Sequence, residues 1–117
     1  NLINPITPGR MQYHPGVAKF WLKSAANSTT INASHKVTSI ADTATGQMTV
    51  TIATDFSGVD WCCLVNVESD VAGASGASDA SVDNTGQAAG TVLVKCRNAS
   101  GSLDDPTSWY VAGFGDQ

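Results

Sequence analysis

The segment 36–56, KVTSIADTATGQMTVTIATDF, limits what this chain can fold into more than any other stretch. Met48, Val50 and Ile52 alternate with Thr49 and Thr51, so an extended strand places the three apolar side chains on one face and the hydroxyls on the other. The run from Lys36 to Ala41 is also β-type, and Asp42–Gly46 lies between the two. Asp42 is suited to accept bonds from turn amides, and Gly46 to supply a positive φ. Alternation on either side of a Gly-containing turn is a hairpin signature. A hairpin with one apolar face must bury that face against another layer.

Other stretches supply the layer. Residues 17–24, VAKFWLKS, predict a strand with Ala18, Phe20 and Leu22 toward the core. Val17, Lys19, Trp21 and Lys23 then face the other way, which leaves Trp21 for a second contact. A short strand is expected within 29–34. VDWCCLVNV (59–67) is almost continuously apolar, the pattern of a central strand covered on both faces, part of it at a subunit interface. TVLVKCRN (91–98) and the aromatic SWYVAGFG (108–115) complete the set, joined by a turn over 98–105 followed by Pro106. Residues 68–90 are almost entirely Ala, Ser, Gly and Asp and predict a long loop with one short strand near Ala80–Val82. No segment has a convincing helical period.

Composition agrees with an all-β chain. Charged residues make up only 14% of the 117, and 12 Ser, 12 Thr and 11 Gly take their place. Thr and Val suit the half-buried pleated surface, and Gly and Ser suit its turns. The length allows one core. The fold class that follows is an antiparallel β-sandwich, jelly-roll-like, over 17–117. Residues 1–16 carry Pro5, Pro8 and Pro15, which leaves no regular element there. They read as an extended connector from a missing stem, packed by Ile3, Ile6 and Tyr13.

Charge narrows the function classes. The net charge is −4, and the six cations (Arg10, Lys19, Lys23, Lys36, Lys95 and Arg97) are scattered, so no basic stripe suits nucleic acid. No apolar run approaches a membrane span. Cys62, Cys63 and Cys96 are an odd count without metal-ligand spacing. They read as buried reduced thiols in strands, consistent with maturation in a bacterial cytoplasm, with a Cys96 bridge to one of the pair as the alternative.

Reactive constellations are not apparent. His14 and His35 stand apart from Cys, Asp or Glu at ligand spacing, so neither a metal nor a cofactor is expected. Ser and Cys lack a nucleophile context, and Glu68 is the sole glutamate among aspartates that turns explain. Asp79, Ser81 and Asp83 resemble the start of a calcium loop, but Gly86 comes too late and no Glu follows at the required distance. The expectation is a non-enzymatic chain. Its aromatics, Tyr13, Trp21, Trp61, Trp109 and Tyr110, suit either a core or the C–H face of a pyranose. Trp61 reads as core, whereas Trp109 and Tyr110, beside the Asp104-Asp105-Pro106 turn, read as the better surface pair.

Three segments together resemble a known family: ITPGRMQYHPGVAKFW (6–21), HKVTSIADTATGQMTVTIATDFS (35–57) and DPTSWYVAGFGDQ (105–117). They are similar to the C-terminal domain of phage and prophage tail-fibre-type proteins, with a TPGR-x-QYHP connector and a terminal FGDQ. The resemblance implies a β-sandwich at the distal end of a homotrimeric virion fibre, used for trimer assembly, host-surface attachment, or both. Its partners would be itself, other virion proteins and a host glycan or receptor. It supplies no catalytic residues. Loops 68–90 and 98–107 are the expected host contacts, with Asp79, Asp83, Asn84, Asp104, Asp105, Trp109 and Tyr110 as candidate receptor-binding residues. Two other readings stay open: a head fibre or capsid decoration protein, and a secreted bacterial carbohydrate-binding module.

Overall fold

The computed structural model describes residues 7–25, 29–69 and 76–117. A short helix α1 (Pro8–Met11) precedes eight strands: β1 (Phe20–Ala25), β2 (Ile31–His35), β3 (Val37–Ala44), β4 (Gln47–Ile52), β5 (Cys62–Glu68), β6 (Asp79–Gln87), β7 (Thr91–Arg97) and β8 (Ser108–Phe114). They form two four-stranded sheets, sheet A in the order β2-β1-β8-β5 and sheet B in the order β3-β4-β7-β6. Every pairing is antiparallel. This is the two-layer β-sandwich that the alternation predicts. The β1–β8 pairing encloses the β4–β7 pairing in sequence, giving the nested order of a rolled-up chain.

The core is the meeting of the two inner faces. Sheet A contributes Phe20, Leu22, Trp109 and Val111; sheet B contributes Met48, Val50, Ile52, Val92, Val94 and Cys96. Burying each of the larger side chains is worth about 1.5–3 kcal/mol. One end is closed by Phe56 and Trp61, stacked with ring centroids 4.5 Å apart, and Phe20 meets Trp61 edge-on at 5.6 Å. The Trp61 indole N–H donates to the Ala88 carbonyl at 2.8 Å, so its polar atom is satisfied inside the core. Phe20 fits because its cross-strand neighbour is Gly113: a Cβ there would lie 2.2 Å from the Phe20 ring.

The β3–β4 hairpin forms as expected, with Ile40 opposite Val50 and Asp42 opposite Met48. Gly46 takes φ +67° in the turn. Asp42 lies within β3; the carboxylate that accepts the Gly46 amide is Asp105, at 2.7 Å.

Several expectations need correction. The connector is not devoid of regular structure. Thr7 caps α1 through its hydroxyl, which accepts the Arg10 amide at 3.3 Å, and Pro8 stands at the first helical position, where a missing N–H costs nothing. Ile3, Ile6 and Pro5 lie outside the described residues, as do 70–75 of the expected loop. Lys19 does not face outward: it is 5% exposed, because the connector folds over it. The apolar run at 59–67 forms β5, an edge strand rather than a central one, with Cys62, Leu64, Asn66 and Glu68 exposed along one face. Residues 79–87 form a nine-residue strand where a loop with a short strand is predicted. β6 is an edge strand, paired through Val82 and resuming at Gln87 after an irregularity, so its small polar residues need bury little.

Candidate functional site

The outer face of sheet A is where large apolar side chains meet solvent. Alternation along four strands sets its rows. His35, Trp21, Ala112 and Leu64 are cross-strand neighbours in one row; Ala33, Lys23, Tyr110 and Asn66 form the next. Trp21 is 43% exposed, Leu64 56% and Tyr110 38%. The small side chains of Ala112 and Ala33 stand beside larger ones, and this difference in height opens a groove of about 520 Å³ along the face. The Trp21 and His35 rings stack with centroids 6.5 Å apart, and the Lys23 ammonium sits 5.4 Å above the Tyr110 ring. Contacts of the latter kind contribute about 0.5–1 kcal/mol at exposed sites. The surface offers flat apolar area with few hydrogen-bonding groups. Such a face suits another apolar surface or the C–H face of a sugar ring.

A second concavity, about 410 Å³, lies between the connector and the corner joining β2 to β3. Its lining combines Lys19, His35, Lys36 and Gln117 with the apolar surface of Tyr13, Val17 and Ala18. Lys36 alone spans the corner and does so at φ +57°, a left-handed conformation that a side chain disfavours.

The predicted receptor-binding residues do not converge on one site. Trp109 is fully buried in the core, which corrects its reading as a surface residue; strand parity turns Trp109 and Val111 inward and Tyr110 outward. Tyr110 belongs to the groove on sheet A. Asp79 lies opposite Arg97, which also bridges to Leu103, so Asp79, Asp104 and Asp105 flank one end of sheet B. Asp105 is engaged by the Gly46 amide, and Asp104 accepts the Asp105 amide at 3.0 Å. Asp83 pairs with Lys95, and its carboxyl is held below the usual range chiefly by that lysine's hydrogen bond. Asn84 is exposed within the irregular part of β6.

The cysteines are free, but the expectation of buried thiols fails for Cys62, which is exposed on β5; Cys96 is buried and Cys63 intermediate. Burial, and secondarily the neighbouring Cys62, pushes the Cys63 thiol up to about 12. His14 accepts the Gly16 amide through Nδ1 at 3.0 Å. Among the described residues, no group of three or more His, Cys, Asp or Glu is placed to hold a metal ion, and no helix is long and apolar enough to cross a membrane.

Leu64 and Ala112 had no place in the sequence reading of a site. The alternation of β5 and β8 contains the signal, but it can be read only once β5 is known to be an edge. Trp21 was legible as a residue needing a second contact, and Tyr110 as a surface aromatic.

Comparison with solved structures shows a similarity to the phiAB6 tailspike, determined in complex with three-repeated oligosaccharides of Acinetobacter baumannii surface polysaccharide. The likeness covers 83% of this chain with 21% identity and a TM-score of 0.52. The fold is shared. The chain spans 20% of that protein's length. No family model matches the chain, and neither does any curated protein.

Proposed function

We propose that this chain is a non-catalytic virion module of tail-fibre or tailspike type, a distal domain that assembles as a homotrimer and contributes to attachment to host-surface glycan. The single observation that supports it best is the open face of sheet A, where Trp21, Leu64 and Tyr110 leave a contiguous apolar surface. An apolar patch of this kind marks an interaction site. The likeness in fold to part of a tailspike agrees with the reading, as does the resemblance of the connector, hairpin and terminal segments to tail-fibre domains. The partners implied are two further copies of the chain, other virion proteins and a glycan. Three copies on one fibre would multiply a weak single-site affinity.

Light scattering on the isolated chain tests assembly: a mass three times that of one chain is expected, and a stable monomer would count against the fibre reading. A second reading, a carbohydrate-binding module, draws on the exposed Trp21 and Tyr110 rings flanking the groove. It predicts a monomer that binds glycan through those rings.

A further inference from the structure

We propose that the pocket between the connector and the β2–β3 corner binds the carboxylate of an acidic sugar, with Lys19 and Lys36 as its cationic contacts; this rests on the glycan-attachment reading. The decisive group is Lys19. The residue is 5% exposed, and its Nζ donates to two neutral acceptors, the carbonyls of Gln12 and His14, each at 2.7 Å. An ammonium has three donors. Among the described residues no carboxylate, the C-terminal one included, lies within 4.0 Å of Lys19 or Lys36. A charge taken out of water is normally matched by an opposite charge, because neutral dipoles repay only part of its lost hydration. Lys19 is unmatched, and it lines the pocket.

The other walls point the same way. In a chain of net charge −4, two of the six cations and one of the two histidines line this concavity, and no Asp or Glu does. Lys36 stands in a left-handed conformation that glycine would occupy without strain. Strain at a non-glycine residue beside a pocket is a recognised mark of a functional position. Tyr13, 68% exposed, forms part of the lining beside Val17 and Ala18, and so offers an aromatic and aliphatic surface to a pyranose ring. The Gln117 side-chain amide donates to the Thr54 carbonyl at 2.7 Å and ties the far wall together. A volume of about 410 Å³ lies in the range of small-molecule sites. The groove on sheet A holds one cation, Lys23, whose ammonium already sits over the Tyr110 ring.

Amide chemical-shift titrations of the full chain with acetate, glucuronate and glucuronamide, at constant ionic strength, test the assignment. Glucuronate should shift the Lys19, Lys36 and Thr54 amides saturably, at least tenfold more tightly than acetate, and glucuronamide should not. Lys36→Gly suits the backbone at the corner, and should weaken glucuronate at least fivefold; Lys19→Gln should do the same. Equal binding of acid and amide, equal binding of glucuronate and acetate, shifts mapping to sheet A, or unchanged affinity in both variants would each overturn the proposal. So would shifts that track protein concentration, which would hand the pocket to a carboxylate of a second copy. Cell adsorption by the unmodified chain is measured separately: its absence removes the glycan-attachment reading whatever the titration shows.

Discussion

The Asp105 carboxylate accepts the Gly46 amide at 2.7 Å, joining the β3–β4 turn to the segment that leads into β8 across 59 positions of sequence. The turn is seated further by the Cys96 amide, which donates to the Gly46 carbonyl at 2.7 Å. At Gly46 a Cβ would lie 2.6 Å from the Asp104 amide nitrogen and 2.7 Å from the Cys96 carbonyl oxygen. Those atoms belong to backbone, which cannot swing aside.

Gly46→Ala is therefore expected to destabilise the domain by about 2–4 kcal/mol, through an unfavourable positive φ combined with overpacking. Asp105→Ala leaves the turn amide without its carboxylate and should cost about 1 kcal/mol, water replacing part of the bond. Urea unfolding followed by tryptophan fluorescence reads both. An Asp105→Ala cost equal to that of Gly46→Ala would show that the turn depends on the carboxylate rather than on space.

Neighbouring aromatics on β8 should behave in opposite ways. Trp109→Ala opens a cavity in the core and is expected to cost about 3–5 kcal/mol. Tyr110→Ala, on the outer face, should cost a single chain only about 0.5–1 kcal/mol, the scale of its contact with Lys23. Comparable losses in the two variants would contradict the strand parity described above.

Leu64→Asp puts a charge on the β5 side of the open face of sheet A. If that face joins copies of the chain, the assembled mass should fall to that of one chain while the far-ultraviolet circular dichroism stays unchanged. Sedimentation equilibrium distinguishes this from unfolding. An unaltered assembled mass would move the subunit contact to another surface.

The Cys63 thiol, raised from 9.0 to about 12 by burial and by Cys62, stays protonated in the folded chain where the unfolded chain has begun to lose its proton. Between those values the native state binds more protons than the unfolded state, so the contribution is intact below pH 9.0 and is lost as pH rises toward about 12. Base-induced unfolding of Cys63→Ala should be less steep over that interval. Iodoacetamide applied to the folded chain at pH 8 should label the exposed Cys62 well before Cys63 or Cys96.

How much of this could be read from residues alone depended on burial pattern. The β3–β4 hairpin was legible because Met48, Val50 and Ile52 alternate with threonines, a pattern with one solution. Phe20 and Leu22 were legible for the same reason. β5 was not: its continuous apolar run satisfies a central strand and equally an edge strand with an open apolar face, and only the pairing with β8 on one side separates them. Small residues concealed β6, because an edge strand with little to bury leaves hardly any periodic signal. The turn before Trp109 and Tyr110 suggests a surface pair, whereas strand parity places one on each side of the sheet. The Lys19 pocket was out of reach, since it arises from the connector folding back over β1, and lone lysines carry no spacing to read.

The central pair of sheet A joins Leu22 to Val111, so the strand nearest the amino end waits for the one nearest the carboxyl end. During synthesis β1 has only β2 beside it until almost the whole segment has emerged from the ribosome, and Trp109 arrives last of the large core side chains. Contacts this far apart in sequence make closure slow. The sandwich is thus timed to consolidate only once β8 is available, and a chain lacking that strand would present a frayed, sticky sheet.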